Sequence, residues 1–203
     1  MKVLKYIGII LLIIVIILGV LTFVLPTSME TEESIAINAP KSIVKEQILY
    51  FENSQEWSPW SKIDPNMNTW LEGEDGEVGT KYFWKGNEDA GEGVQEIVAV
   101  EENQVDLKIT FIKPFESEAD TYFKINEKSD KVEVTWGFTS EMQPPLNLML
   151  LFVDMKESIS EDYREGLESL KEISENIAEN YVAGYKIKKS TLNLKTICTK
   201  EKL

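Results

Sequence analysis

The chain has 203 residues, with 35 acidic and 21 basic side chains, no histidine and a single cysteine, for a formal net charge of −14. That composition excludes His-based zinc sites, the Ser-His-Asp triad and an intramolecular disulfide. The charge is uneven, with 34 acidic and 13 basic groups in residues 26–184 but six lysines and one glutamate in residues 185–203, so the acidic body disfavours nucleic acid and docking on anionic lipid through a basic patch.

The first predicted element is residues 7–25, a run of 19 without a charge, with Lys2 and Lys5 before it and Glu30, Glu32 and Glu33 after it. At ~1.5 Å rise per residue it matches the ~30 Å hydrocarbon core of a bilayer as one helix. Pro26-Thr-Ser-Met29 offers no Ala-x-Ala cleavage pattern and no cysteine follows to carry a lipid, so the run is expected to stay as an anchor rather than leave as a signal peptide. The lysines on its N-terminal side place the N-terminus in the cytoplasm and the rest of the chain outside. The expected organisation is an anchor over 1–25, a linker over 26–33, one domain over 34–182 and a basic tail over 183–203. A linker this short reaches about 25 Å at ~3.3 Å per residue and keeps the domain near the bilayer.

Residues 34–38 alternate as a strand, and Pro40 then opens a helix carrying Ile43, Val44, Ile48, Leu49 and Phe51 at helical spacing. Glu56-Trp-Ser-Pro-Trp60 is a compact segment, and Asp64-Pro-Asn66 a turn. The period then changes to two. Strands are predicted over 81–85, 94–100, 105–111, 119–125 and 132–138, separated by tight polar turns, which describes an antiparallel meander with one apolar face. Pro144-Pro145 introduces about 35 residues of helical pattern to Asn180. Its apolar stripe runs Met149, Phe152, Met155, Ile159, Tyr163, Leu167, Leu170, Ile173 and Ile177, and the opposite face is acidic. Such a stripe needs a partner, and the apolar face of the meander is the one on offer. Tyr185-Lys-Ile-Lys alternates like a strand without partners, which reads either as a disordered basic end or as the beginning of a second module similar to the effector-binding module of transcription regulators.

Ile37-Asn-Ala-Pro40, Trp57-Ser-Pro-Trp60 with Asp64-Pro-Asn66, Val78-Gly79 before Tyr82-Phe-Trp84, Gly86-Asn87 before Gly91-Glu-Gly93, and Val132-Glu-Val-Thr-Trp136 fall in one order along the chain. In that order they resemble the bacterial START-like (SRPBCC) proteins, the polyketide cyclase/dehydrase and lipid-transport-like group, in its membrane-anchored form. The resemblance implies an α+β helix-grip fold, with a curved antiparallel sheet of about 6–7 strands wrapped around a long C-terminal helix and one N-terminal transmembrane helix ahead of it. It further implies a cavity between sheet and helix used for hydrophobic ligands, and only some members are enzymes.

On the inward positions of these strands stand Tyr82, Trp84, Ile97, Leu107, Ile109, Phe111, Phe123, Trp136 and Phe138, facing Met149, Phe152 and Met155 of the last helix. Aromatics and methionines together make a pliable lining for a ligand, and the same residues equally suit a filled core. Trp57 and Trp60 either border a cavity mouth or lock a short helix onto the sheet. The glycines at 86, 91 and 93 read as a hairpin, because no helix follows to cradle phosphate. Asp64, Glu92, Glu96, Asp120 and Glu133 are the available carboxylates, none paired with a nucleophile, and no catalytic residue, cofactor or metal site is assigned. The expected partners are the bilayer, through residues 7–25, and a small hydrophobic ligand, with no nucleic acid. The alternatives are a scaffold with a filled core, and a cyclase-type enzyme using Glu96 or Asp120 as base.

Overall fold

The computed structural model describes residues 2–151, 154–182 and 185–186. Helix α1 (Lys2–Val24) is followed by strand β1 (Ser28–Ile37), helices α2 (Lys41–Leu49) and α3 (Phe51–Trp57), and a 3₁₀ turn at Pro59–Lys62. Six strands come next: β2 (Asn68–Glu72), β3 (Lys81–Lys85), β4 (Glu92–Val100), β5 (Gln104–Lys113), β6 (Ser117–Lys128) and β7 (Lys131–Glu141). A 3₁₀ segment (Leu146–Leu151) leads to the long helix α4 (Met155–Glu179). The seven strands form one antiparallel sheet in the order β1-β7-β6-β5-β4-β3-β2, so the first strand closes the sheet on the far side of the meander. Helix α4 lies on the inner face, and the whole is the α+β helix-grip arrangement that the sequence pattern implies.

Several elements differ from the periodicity reading. Residues 26–33, expected as a linker, are strand from Ser28 onward, with Ser28 paired to Glu141 and the amide of Met142 bonded to the carbonyl of Thr27 at 2.8 Å. Met29 and Thr31 face inward here, and their neighbours Glu30 and Glu32 hide a period of two among charges. The helix after Pro40 breaks at Tyr50, which is extended (φ −89°, ψ 121°). Asp75 makes the break stable: its carboxylate accepts from the amides of Phe51 (2.9 Å) and Glu52 (3.0 Å), capping α3 from the β2–β3 loop. Strand β2 was not expected, since its residues are mostly exposed and show no apolar alternation. The final helical pattern is split, and Asp154 starts α4 as its N-cap by accepting from the Glu157 amide at 3.1 Å. Tyr185–Lys186 is paired, with Tyr181–Val182; the rest of the tail and Phe152 lie outside the described residues.

On the outer face, Tyr122 lies across Gly137 and donates to the Glu32 carboxylate at 2.8 Å. Burial first, and then the acceptor Glu32, push its phenol from the ordinary 10.0 up to about 12. The folded chain therefore holds this proton more tightly than the unfolded chain. Its contribution to stability is complete below pH 10.0 and is lost as pH rises from there through about 12. Urea midpoints measured across that window should fall more steeply for the unmodified chain than for Tyr122→Phe; parallel curves would show that the Glu32 bond has no energetic weight.

Candidate functional site

The inner face of the sheet divides into two halves. Toward α2 and α3 it is filled with rings. Trp136 stacks on Tyr163 of α4 with centroids 3.9 Å apart at 10°, and on Phe123 at 4.8 Å. Trp57 and Trp60 meet Trp136 edge-on at 5.3 Å and 5.5 Å. The polar atoms of this cluster are satisfied at one node. Thr121 donates to the Gly137 carbonyl (2.8 Å), and its oxygen accepts from the Trp136 indole (3.0 Å) and lies 3.2 Å from the Tyr163 hydroxyl. Burial drives the Tyr163 phenol well above its ordinary value. Trp57 donates to the Gln47 carbonyl at 2.9 Å, which ties α3 to α2, while Trp60 keeps an exposed edge. Ile97, Leu107 and Phe138 are buried in the same core.

The other half is only partly covered. Trp84, Gly93 and Phe111 lie side by side on β3, β4 and β5. Gly93 has no side chain to obstruct the Trp84 indole, whose Cη2 and Cζ2 would collide with a Cβ there, and the indole donates to the Ala90 carbonyl at 3.1 Å. Phe111 meets it edge-on at 6.0 Å. One row further, Met29, Ser140, Ala119, Ile109, Gln95 and Tyr82 sit opposite one another across six strands. Small side chains at 140 and 119 lower the floor at the middle of this row. Tyr82 closes it by stacking on Phe51 at 5.4 Å and donating to Gln55 at 2.8 Å, and burial raises its phenol pKa.

At the β1 end of that row is an apolar groove of about 520 Å³, bounded by Pro26, Ser28, Met29 and Glu30, by Leu150 and Leu151, and by Asp154, Met155 and Lys156 at the start of α4. Met155 also packs against the core, whereas Met149 points outward. A second groove of about 590 Å³ continues along β1 and α4 past Glu30, Glu32, Glu33, Lys156, Glu157 and Arg164. Arg164 is engaged there by Glu33 (3.2 Å) and Glu157 (2.9 Å), so the acids outnumber the remaining cation.

The carboxylates singled out as candidate acids and bases stand elsewhere. Glu96 and Asp120 fall on the outer face because their neighbours Ile97 and Ala119 face inward, and strands alternate. Glu96 pairs with Lys81 (3.5 Å) and Glu133 with Lys128 (2.5 Å). Glu92 bridges Lys113 (2.9 Å) and Lys85 (3.6 Å), and Lys113 chiefly holds its carboxyl below the ordinary range. Asp64 accepts from the amides of Asn66 (2.9 Å) and Asn87 (2.8 Å), fastening the β3–β4 hairpin. A base at Glu96 or Asp120 acting on a ligand of the inner face is thereby ruled out by register.

A model of the family described as polyketide cyclase / dehydrase and lipid transport matches residues 28–175, most of the chain and all of the grip. The chain belongs to that family. No curated protein sequence matches it. Among solved structures, a protein from Nitrosospira multiformis is similar at TM-score 0.52 and 18% identity, covering 76% of this chain and 97% of its own. Major latex-like protein 151 from Panax ginseng gives 0.53 and 16%, covering 73% and 99%. The di-domain ARO/CYC StfQ of the steffimycin biosynthetic pathway gives 0.57 and 11%, covering 75% of this chain and 52% of its own. At these identities the likeness is one of fold. The polyketide cyclase/dehydrase and lipid-transport domain here is a ligand-binding fold preceded by a helix, residues 5–24, long and apolar enough to cross a membrane.

Proposed function

We propose that this chain is a membrane-tethered domain that holds a lipid or another small hydrophobic ligand on the half-covered part of its inner face. The observation that carries the reading is the inward row from Met29 to Tyr82, low at Ser140 and Ala119, which begins at the apolar groove beside Pro26 and Met155. Trp84, Ile109 and Phe111 there are only partly buried, and covering their remaining apolar area with a ligand is worth ~25 cal/mol per Å². Residues 5–24 provide the tether, and Lys2 and Lys5 at its N-terminal end favour an extracytoplasmic domain. The carboxylates along the second groove, Glu30, Glu32, Glu33 and Glu157, favour a ligand without net negative charge.

The test is native mass spectrometry of the intact chain in detergent, with and without added zwitterionic or anionic lipid. A bound apolar mass is expected, taken up in preference from the zwitterionic lipid. Met155→Lys replaces one of the groove's apolar walls with a cationic side chain beside Glu30 and Asp154 and should weaken uptake of an apolar ligand by at least ~tenfold, with far-UV circular dichroism showing the fold retained despite the lost core contact of Met155. A chain that stays free of ligand in every lipid, with its fold intact, would instead be a scaffold whose interior side chains fill the grip.

A further inference from the structure

The connection between β7 and α4 reads Met142-Gln-Pro-Pro-Leu-Asn-Leu-Met-Leu-Leu-Phe-Val153, twelve residues without a charge in a chain where 28% of residues are charged. Its one strongly polar side chain in the 3₁₀ segment, Asn147, has no exposed surface. The Asn147 amide donates to the carbonyl of Thr22 at 2.8 Å and approaches that of Leu25 at 3.5 Å. Thr22 belongs to the last turn of α1 and Leu25 follows that helix directly, where the closing carbonyls have no partner within the helix. Hydrocarbon offers them none, so a donor from another element is the remaining way to satisfy them. The 3₁₀ segment is thus fixed against the final turn of α1, at the depth where that helix ends. Around Asn147 the apolar side chains of Leu146, Met149 and Leu151 keep 44%, 37% and 44% of their surface exposed, Leu151 at the groove.

A second element projects to the same level. Ser28, two residues beyond the groove-lining Pro26, pairs with Glu141, and one step along β7 Ser140 pairs with Ala119 of β6. Strand β6 runs on past that level to Ser117, opposite Phe111, and into the β5–β6 turn. At this tip Phe115 is 61% exposed and Ile112 is also exposed. Large apolar side chains gathered at one end of a domain suit the interfacial zone of a bilayer.

We propose that the 3₁₀ segment Leu146–Leu151 and the β5–β6 tip around Phe115 insert together into the leaflet interface at which α1 ends, so that the apolar groove opens onto lipid. The inference rests on the reading of α1 as a membrane span. It adds that the domain has a fixed orientation on the bilayer: only Leu25, Pro26 and Thr27 separate α1 from β1, and Asn147 holds the other side. A ligand would then move between leaflet and groove without crossing water.

The experiment uses the full chain in phosphatidylcholine nanodiscs, with Cys198→Ser as background because Cys198 is the single cysteine. An environment-sensitive fluorophore is attached in turn at Met149→Cys, Phe115→Cys, Val15→Cys and Val78→Cys, and quenching by nitroxide-bearing lipid is read. Val78 is exposed in the β2–β3 loop, at the opposite end of the sheet. Positions 149 and 115 should be quenched at least ~threefold more than position 78, with little change in high salt, because an apolar insertion is not screened. Quenching at 15 with none above the level of 78 at 149 and 115 would overturn the inference while leaving the tether intact. No quenching at 15 would overturn both. Failure of ligand uptake in the mass-spectrometric test would leave the depth pattern untouched.

Discussion

Trp136→Ala is expected to destabilise the domain by about 4 kcal/mol, the range found for emptying a large buried aromatic site. The indole is the shared neighbour of Trp57, Trp60, Phe123 and Tyr163, at centroid distances from 3.9 to 5.5 Å. Its removal takes away the surface on which α4 stacks through Tyr163 and on which α3 is held through Trp57. It also strips the Thr121 node of its indole donor, and an unmade buried hydrogen bond costs about 1–3 kcal/mol on its own. For a domain of this size each kcal/mol moves the thermal midpoint by ~2–4 °C, so a fall of roughly 8–16 °C is expected by circular dichroism of the intact chain in detergent. Trp136→Phe keeps most of the stack and loses mainly the N–H, and should cost less than half as much. If the alanine variant melts within a few degrees of the unmodified chain, the ring column is not what joins helix to sheet.

Gly166→Val is the second large effect. Gly166 is in the middle of α4, where glycine is intrinsically unfavourable by about 1 kcal/mol relative to alanine. A side chain there would be expected to stabilise the helix, yet packing dictates the opposite sign. A Cβ at this position would lie 2.8 Å from Trp136 Cζ3 and 3.1 Å from Pro59 Cδ. Neither atom yields cheaply, since the indole is clasped on several sides and Pro59 belongs to the rigid 3₁₀ turn. Helix α4 must therefore lift from the sheet. We expect Gly166→Val to cost ~2–3 kcal/mol and Gly166→Ala somewhat less, read as shifts of the urea midpoint at unchanged slope. An alanine variant more stable than the parent would show that α4 has slack at this crossing.

The fold was largely readable from the chain because its elements carry strong periods. Val105, Leu107, Ile109 and Phe111 alternate cleanly, and the stripe from Met155 to Ile173 steps by three and four. Strand β2 escaped notice because an edge strand with both faces near solvent need not alternate. Of the proposed lining, Tyr82, Trp84, Ile97, Leu107, Ile109, Phe111, Phe123, Trp136 and Phe138 do share the inner face, but that face is divided between a ring-filled half and a half-covered one. Asn147 carries no periodic signal, although a single amide within the apolar segment Leu146–Leu151 indicates that some buried carbonyl needs a donor.

What the amino-acid order determined by itself was local: an apolar run as long as a bilayer is thick, strands whose side chains alternate, one amphipathic helix, and a composition with no histidine. Only the tertiary structure decided that β1 follows α1 after three residues, that Glu96 and Asp120 face away from the grip, that Thr121 satisfies two buried rings, and that the groove at the β1 end of the sheet lies near the end of α1. The reason is physical. Period and composition act between neighbours in the chain, whereas depth, register and the filling of space arise from pairings such as Met29 with Ser140 or Asn147 with Thr22, made between residues more than a hundred positions apart.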